Sequence, residues 1–350
     1  MAKKYGNELK LFILGGIVIL IIGSILFLES QKAKPVNSTA VKNNGDFAPE
    51  LTAIAGYINT EPGITVESLR GKVVMIDFWT YSCINCIRTQ PYLNAWYDKY
   101  ESDGLVIIGV HTPEFEFEKD INNVRKAVKN ENIKYPVVLD NDFGTWQAYR
   151  NSYWPRKYLI DINGKVRYDH IGEGGYDETE MKIQELLAER NSAKKTGLVA
   201  PNNTISIGNI GSPEIYFGYG FNRGSFGQEL KPETVVNYSF PSSIKFNTAY
   251  LDGQWYNAND YVELEGDKGS ILLPYHSKAV NIVAGSEFGS SVIVYIDEKP
   301  INDSDKGFDL GKPITDEKLY NLVRSKDSGN HLIEINVTGK GFRIYTFTFG

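Results

Sequence analysis

The sequence predicts an α/β body with a central mixed sheet and flanking helices, followed by an all-β sandwich, both hung from one N-terminal transmembrane helix. Three observations predict it. Apolar strand-like runs alternate with helical periods over residues 49–191. Short apolar runs between Gly, Asp and Asn turns, with no long helical period, fill residues 206–350. Residues 11–28, LFILGGIVILIIGSILFL, carry no charge.

At 1.5 Å per residue the apolar run makes a helix of about 27 Å, enough to cross a bilayer. Lys3, Lys4 and Lys10 precede it, while Glu29, Lys32 and Lys34 follow, a bias that places residues 1–10 in the cytoplasm and the rest of the chain outside. A cleaved signal peptide is the alternative, but FLESQKAKP offers no A-x-A site and the run exceeds a usual signal-peptide core. Residues 29–48 are polar and without period, and are expected to form a tether. A net charge of -6 gives no basic footprint and excludes nucleic acid as a partner.

Beyond the tether, KVVMIDFW predicts a buried strand, the segment from the cysteines to about Tyr100 a helix, and GLVIIGVHT a second strand, together a β-α-β unit. EKDINNVRKAVKNEN predicts an amphipathic helix, YPVVLD a third strand, KYLIDINGKVRYDHI a hairpin turning at Asn163-Gly164, and DETEMKIQELLAER a closing helix. Residues 192–205 are small and polar, a linker. YVELEG, SILLPYH, AVNIVAG, SVIVYIDEKPI, HLIEINVTG and FRIYTFTFG predict the strands of the sandwich at 206–350.

Both cysteines of the chain, Cys83 and Cys86, lie in WTYSCINCIRTQP. As a staple, a loop this short stabilises by only roughly 2 kcal/mol. A structural zinc site needs four ligands, and His111, His170, His276 and His331 are scattered singly. Haem attachment needs histidine where Ile87 stands. The remaining reading is a dithiol-disulfide couple that needs no metal and no other cofactor. The helix N-terminus favours the thiolate of Cys83, the nucleophile, and Cys86 one turn later resolves the mixed disulfide. Asp77 interrupts an apolar strand, where desolvation raises a carboxyl pKa. It either shuttles the proton of Cys86 or is a structural carboxylate held by backbone hydrogen bonds. Pro91, inside the same helix, is expected to kink it.

VVMIDFWTYSCINCIRTQP resembles the thioredoxin superfamily, so the body at 49–191 is expected to be thioredoxin-like. APELTAIAGYINTEPGITVESLRGK is similar to the hairpin that opens its membrane-anchored TlpA/ResA branch. DFWTYSCINC, IIGVHTPEFEFE, YWPRKYLID and HIGEGGY resemble the extracytoplasmic part of the DipZ-type bacterial family, whose thioredoxin domain is followed by a carbohydrate-binding-module-like domain that SPEIYFGYGF and the final TFTFG resemble. The resemblance implies a membrane-anchored extracytoplasmic thiol-disulfide oxidoreductase and favours a reductant of protein disulfides over an oxidant or isomerase. It implies a substrate surface at Trp79, Trp154 and a cis Pro155, and an acid, Glu114, that influences cysteine titration; Glu114 is otherwise part of a charged loop. His111 is expected to be a polar cap. DipZ-type proteins carry a multi-helix electron-transporting domain where this chain has one helix, so a separate membrane donor of the CcdA/DsbD type is expected.

Two rivals remain at the level of sequence. TYSC supplies the T-x-x-C element of a peroxiredoxin-like thiol peroxidase, although Ile76 stands where that motif carries proline. A cell-envelope glycan-binding protein would use Tyr216, Tyr219, Phe221, Trp255, Tyr256, Tyr261 and Tyr275 as stacking platforms, unless those rings fill the core.

Overall fold

The structure, a computed structural model, describes residues 45–191, 196–202, 204 and 208–350. The expected cytoplasmic N-terminus, the membrane helix, the tether as far as residue 44 and parts of the linker lie outside the described residues. Asp46 and Ala48, assigned to the tether, instead hydrogen-bond to the hairpin: Val166 N–H donates to the Asp46 carbonyl and Ala48 N–H to the Gly164 carbonyl.

The first sheet contains β1 (Gly56–Ile58), β2 (Val73–Trp79), β3 (Leu105–His111), β4 (Val137–Leu139), β5 (Arg156–Ile160) and β6 (Val166–Ile171). Its order is β1-β4-β3-β2-β5-β6. Strands β2, β3 and β4 are parallel neighbours; β5 pairs antiparallel with β2, and β6 antiparallel with β5. The opening segment was expected to form a hairpin; β1 instead pairs with β4, eighty residues downstream. Helices α1 (Ile84–Tyr100), α2 (Ile121–Asn130), α3 (Gly144–Ala148) and α4 (Tyr176–Asn191) complete this body. All seven residues of β2 are buried, because helices cover both faces of the sheet centre. Helix α1 continues through Pro91 to Tyr100. Helix α2 starts where the Asp120 side chain accepts the Asn122 N–H, a cap worth about 1 kcal/mol.

The second body contains β7 (Ile215–Tyr216), β8 (Thr234–Tyr238), β9 (Tyr250–Asn257), β10 (Val262–Leu264), β11 (Lys268–Ser286), β12 (Ser291–Ile296), β13 (Lys299–Pro300), β14 (Lys318–Thr338) and β15 (Phe342–Phe349). It is all β, as expected, but its strands are not bonded into two separate sheets. They form one sheet in the order β13-β12-β14-β11-β15-β10-β9-β8, with β7 beside β15 and a further pairing of β9 with β11 that closes the path on itself. The reason is the length of two strands. SILLPYH and AVNIVAG, read as separate strands, are halves of the 19-residue β11, which absorbs the break as register shifts near Ser277 and Val280. The first half of β11 pairs with β9 and the second with β15.

Burial along β11 reports where this body docks. Exposure alternates as far as Lys278, then every residue from Ala279 to Ser286 is buried. Alternation fails because the outer face is covered by the loop after β3. Phe115 packs with Tyr216, Val283 and Tyr345 in one apolar cluster, its ring 5.1 Å from that of Tyr345. Arg88 of α1 ties the same side down. Its buried guanidinium pairs with Glu173 at 3.0 Å and donates to the carbonyls of Phe349 at 3.1 Å and Gly350 at 2.7 Å.

Candidate functional site

The central strand β2 ends at Trp79, and four residues later Cys83 caps the N-terminus of α1. Its Sγ accepts the Cys86 N–H at 3.3 Å, so a thiolate there gains a donor and the positive end of a 17-residue helix. Both cysteines are free. Cys83 is half-buried at the mouth of a cleft, while Cys86 is buried one turn in. Burial, the Cys83 sulfur and the Asp77 carboxylate all push the Cys86 thiol up, so that it holds its proton.

Asp77 lies in the middle of β2, and neither carboxylate oxygen has a hydrogen-bond partner. Of its two sequence readings, a carboxylate satisfied by the backbone does not match this geometry. Burial raises its pKa to about 7, opposed by the charge of Lys157, its cross-strand neighbour on β5. Lys157 is itself wholly buried, donates to the Gly172 carbonyl at 3.3 Å and has its pKa lowered by burial. An acid and a base of perturbed pKa thus sit beside the buried thiol.

The cleft has a volume of about 410 Å³. Cys83, Glu114 and Trp154 form one side; Glu214, Tyr216 and Thr348 of the β body form the other. Trp154 donates its indole N–H to the Thr112 carbonyl at 3.1 Å and packs on Trp146 at 4.3 Å. The Trp154–Pro155 peptide is cis, and Tyr153 beside it is 50% exposed. Glu114 accepts from the Tyr216 hydroxyl at 2.6 Å, and burial raises its pKa to about 8.

Several expected residues lie elsewhere. Trp79, assigned to the substrate surface, is 3% exposed and belongs to the core, because β2 is covered on both faces. Its ring meets His111 edge-on at 5.1 Å. His111 is wholly buried, with its pKa lowered by burial to about 3, which makes it a neutral core imidazole. Thr80 of the T-x-x-C element is buried with its hydroxyl 3.4 Å from His111 Nε2, turned inward from the cleft. Trp255, Tyr275 and Tyr216 are at most 2% exposed, so these rings build core and interface rather than a stacking platform.

Lys157, Glu118 and Arg88 were not singled out from sequence. Lys157 was detectable by the argument used for Asp77, a charge in an apolar strand. Glu118 is wholly buried and accepts from the Ser82 hydroxyl at 2.6 Å and the backbone N–H groups of Glu114 and Phe115 at 2.6 and 2.9 Å. It locks the loop carrying Glu114 to the turn carrying Cys83. No local pattern separates it from its neighbours in PEFEFEK.

Comparison with known proteins gives two family matches: residues 44–169 to the AhpC/TSA family and residues 212–350 to the thioredoxin-like C-terminal domain. Protein DipZ of Mycobacterium tuberculosis is 40% identical over 314 residues, 87% of this chain; the chain spans 43% of that protein's length. Thiol-disulfide oxidoreductase YkuV of Bacillus subtilis is 33% identical over 142 residues, 40% of this chain and 94% of YkuV. Thiol-disulfide oxidoreductase ResA of Bacillus cereus is 32% identical over 123 residues, 35% of this chain and 68% of ResA.

Proposed function

Because this chain belongs to the thioredoxin-like thiol-disulfide oxidoreductases, we propose that Cys83 and Cys86 are its redox couple and that it reduces protein disulfides outside the cytoplasm. The observation that carries the reading is the placement of the pair: Cys83 Sγ caps α1 at the cleft and Cys86 lies buried behind it. The Cys83 thiolate attacks a substrate disulfide, forming a mixed disulfide and expelling one substrate thiolate. Asp77 takes the proton of Cys86. The Cys86 thiolate then attacks Cys83 Sγ, releasing the second substrate sulfur as a thiolate and leaving a Cys83–Cys86 disulfide. Two electrons pass to the substrate, and no cofactor beyond the disulfide takes part. Trp154 and Pro155 form the surface along which the substrate segment lies.

Residues 11–28 anchor the chain in a bacterial cell membrane with both bodies outside, and a separate membrane protein of the CcdA/DsbD type returns the electrons. The supports are the uncharged run, the lysines before it and the DipZ likeness. The test is Cys86→Ser in the full-length chain. It accumulates mixed disulfides between Cys83 and envelope proteins that Cys83→Ser abolishes; an empty trap refutes the couple. A Cys83–Cys86 potential below about -250 mV supports a reductant, and one above about -200 mV reverses the assigned direction.

A further inference from the structure

The cleft at Cys83 is built from two bodies, and the groups that face Glu114 come mostly from the β body. The Tyr216 hydroxyl lies 2.6 Å from Glu114 Oε1 and 2.8 Å from Glu214 Oε2. One hydroxyl carries one hydrogen, so it donates to only one of two carboxylates. Two carboxylates held this close to one hydrogen repel each other, which favours a second proton on one of them. The Arg223 guanidinium lies 4.7 Å over the Tyr216 ring. On the other side Glu118 accepts the Glu114 N–H, adding a third acid. Cys83 and Ser82 close the cleft below.

We propose that Glu214 and Tyr216 complete the catalytic centre, Glu214 by holding Glu114 in its acid form and Tyr216 by donating to the carboxylate left afterwards, so that Glu114 protonates the sulfur leaving the substrate disulfide attacked by Cys83. The proposal rests on the assignment of Cys83 and Cys86 as the redox couple. Glu114 is the member of the cluster that carries the proton: it is the more buried of the two carboxyls, and burial and the charges of Glu214 and Glu118 favour its neutral form, against the hydrogen bond from Tyr216 and the charge of Arg223. Tyr216 keeps its own proton, since burial and both glutamates push its pKa up.

The step balances. The Cys83 thiolate and a substrate disulfide give the mixed disulfide and a thiolate, which takes the Glu114 proton and leaves as a thiol. Glu114 is left as a carboxylate, to which Tyr216 now donates its hydrogen. Solvent in the cleft restores the proton. Glu114 is the catalytic residue; Glu214 and Tyr216 are positioning residues that act through it. The β body is then half of the redox site rather than an appendage to it.

The experiment follows the Glu114 carboxyl directly by carbon-13 NMR titration of glutamate-labelled protein, assigned with Glu114→Gln, beside the pH profile of disulfide reduction. Glu114 titrates near 8 in the wild type. Glu214→Gln moves the titration down and Arg223→Gln moves it up, and the alkaline fall of the rate moves in the same two directions. Tyr216→Phe keeps the ring and lowers kcat with little change in KM. A Glu114 that titrates in the ordinary carboxylate range, or that is unmoved by Glu214→Gln, overturns the proposal. So does a titration that shifts while the rate profile stays fixed. Failure of the redox assignment looks different: Cys86→Ser traps nothing while the Glu114 titration is still displaced.

Discussion

Asp77→Asn removes a buried acid whose ionisation the fold resists, and the consequence for stability can be worked out with its sign. Burial raises the carboxyl from 3.8 to about 7, a value that already includes the opposing pull of Lys157. At 1.36 kcal/mol per pH unit this is about 4 kcal/mol. Between those two values the native chain holds a proton that the unfolded chain has released, so each step up in pH favours unfolding. The contribution is therefore complete below the unfolded value and is lost as pH rises through about 7. Asparagine has no such dependence. Its amide inherits the unpartnered site and carries a penalty of about 1–3 kcal/mol at every pH. Wild-type stability relative to Asp77→Asn should fall by about 4 kcal/mol between about pH 4 and pH 8, measured by urea unfolding of the reduced proteins. Turnover should fall in the variant, because Cys86 loses the proton acceptor proposed for it. A stability difference constant to within about 1 kcal/mol over that range would mean that Asp77 is ionised normally, and its role as a base would go with it.

Arg88→Ala should destabilise by about 3–5 kcal/mol, since it strands the Glu173 carboxylate and two carbonyls at the end of β15; faster amide exchange confined to residues 342–349 checks the mechanism, and a loss below about 1 kcal/mol contradicts it. Trp255→Ala should cost about 3–5 kcal/mol in unfolding experiments, because the ring is wholly buried and its indole N–H donates to the Asp252 carbonyl. A variant of unchanged stability would return that residue to the surface.

The buried charge of β2 was legible because an isolated carboxylate in an apolar strand is a physical anomaly at the level of sequence, and the same rule reaches Lys157. The place of Cys83 at a helix N-terminus was legible from the change of an apolar strand into a helical period. Trp79 was misplaced because family position was allowed to stand for exposure, whereas a strand buried on both faces has no substrate side. Glu114 and Glu118 are separated by three residues and are equivalent in any local pattern. Only tertiary structure turns one into the acceptor that locks the loop and the other toward the cleft. The closed sheet escaped for a related reason. Ser277 and Lys278 carry an ordinary turn signal, and nothing local reports that a register shift will carry the strand through them. Tyr216 and Glu214 lie about a hundred residues from Glu114, beyond the range of any pattern argument.

The grip of Arg88 on the end of β15 also has a meaning in time. Its acceptors lie 261 and 262 residues downstream, so during synthesis the helix that carries the cysteines emerges long before its anchor does. Until that strand arrives, Cys83 faces open solvent without the second wall, and Glu114 lacks the groups that surround it. The cleft at Cys83 therefore closes after the α/β body has its sheet, and the two thiols pass through an unguarded interval that a chain with its cysteines near β15 would not have.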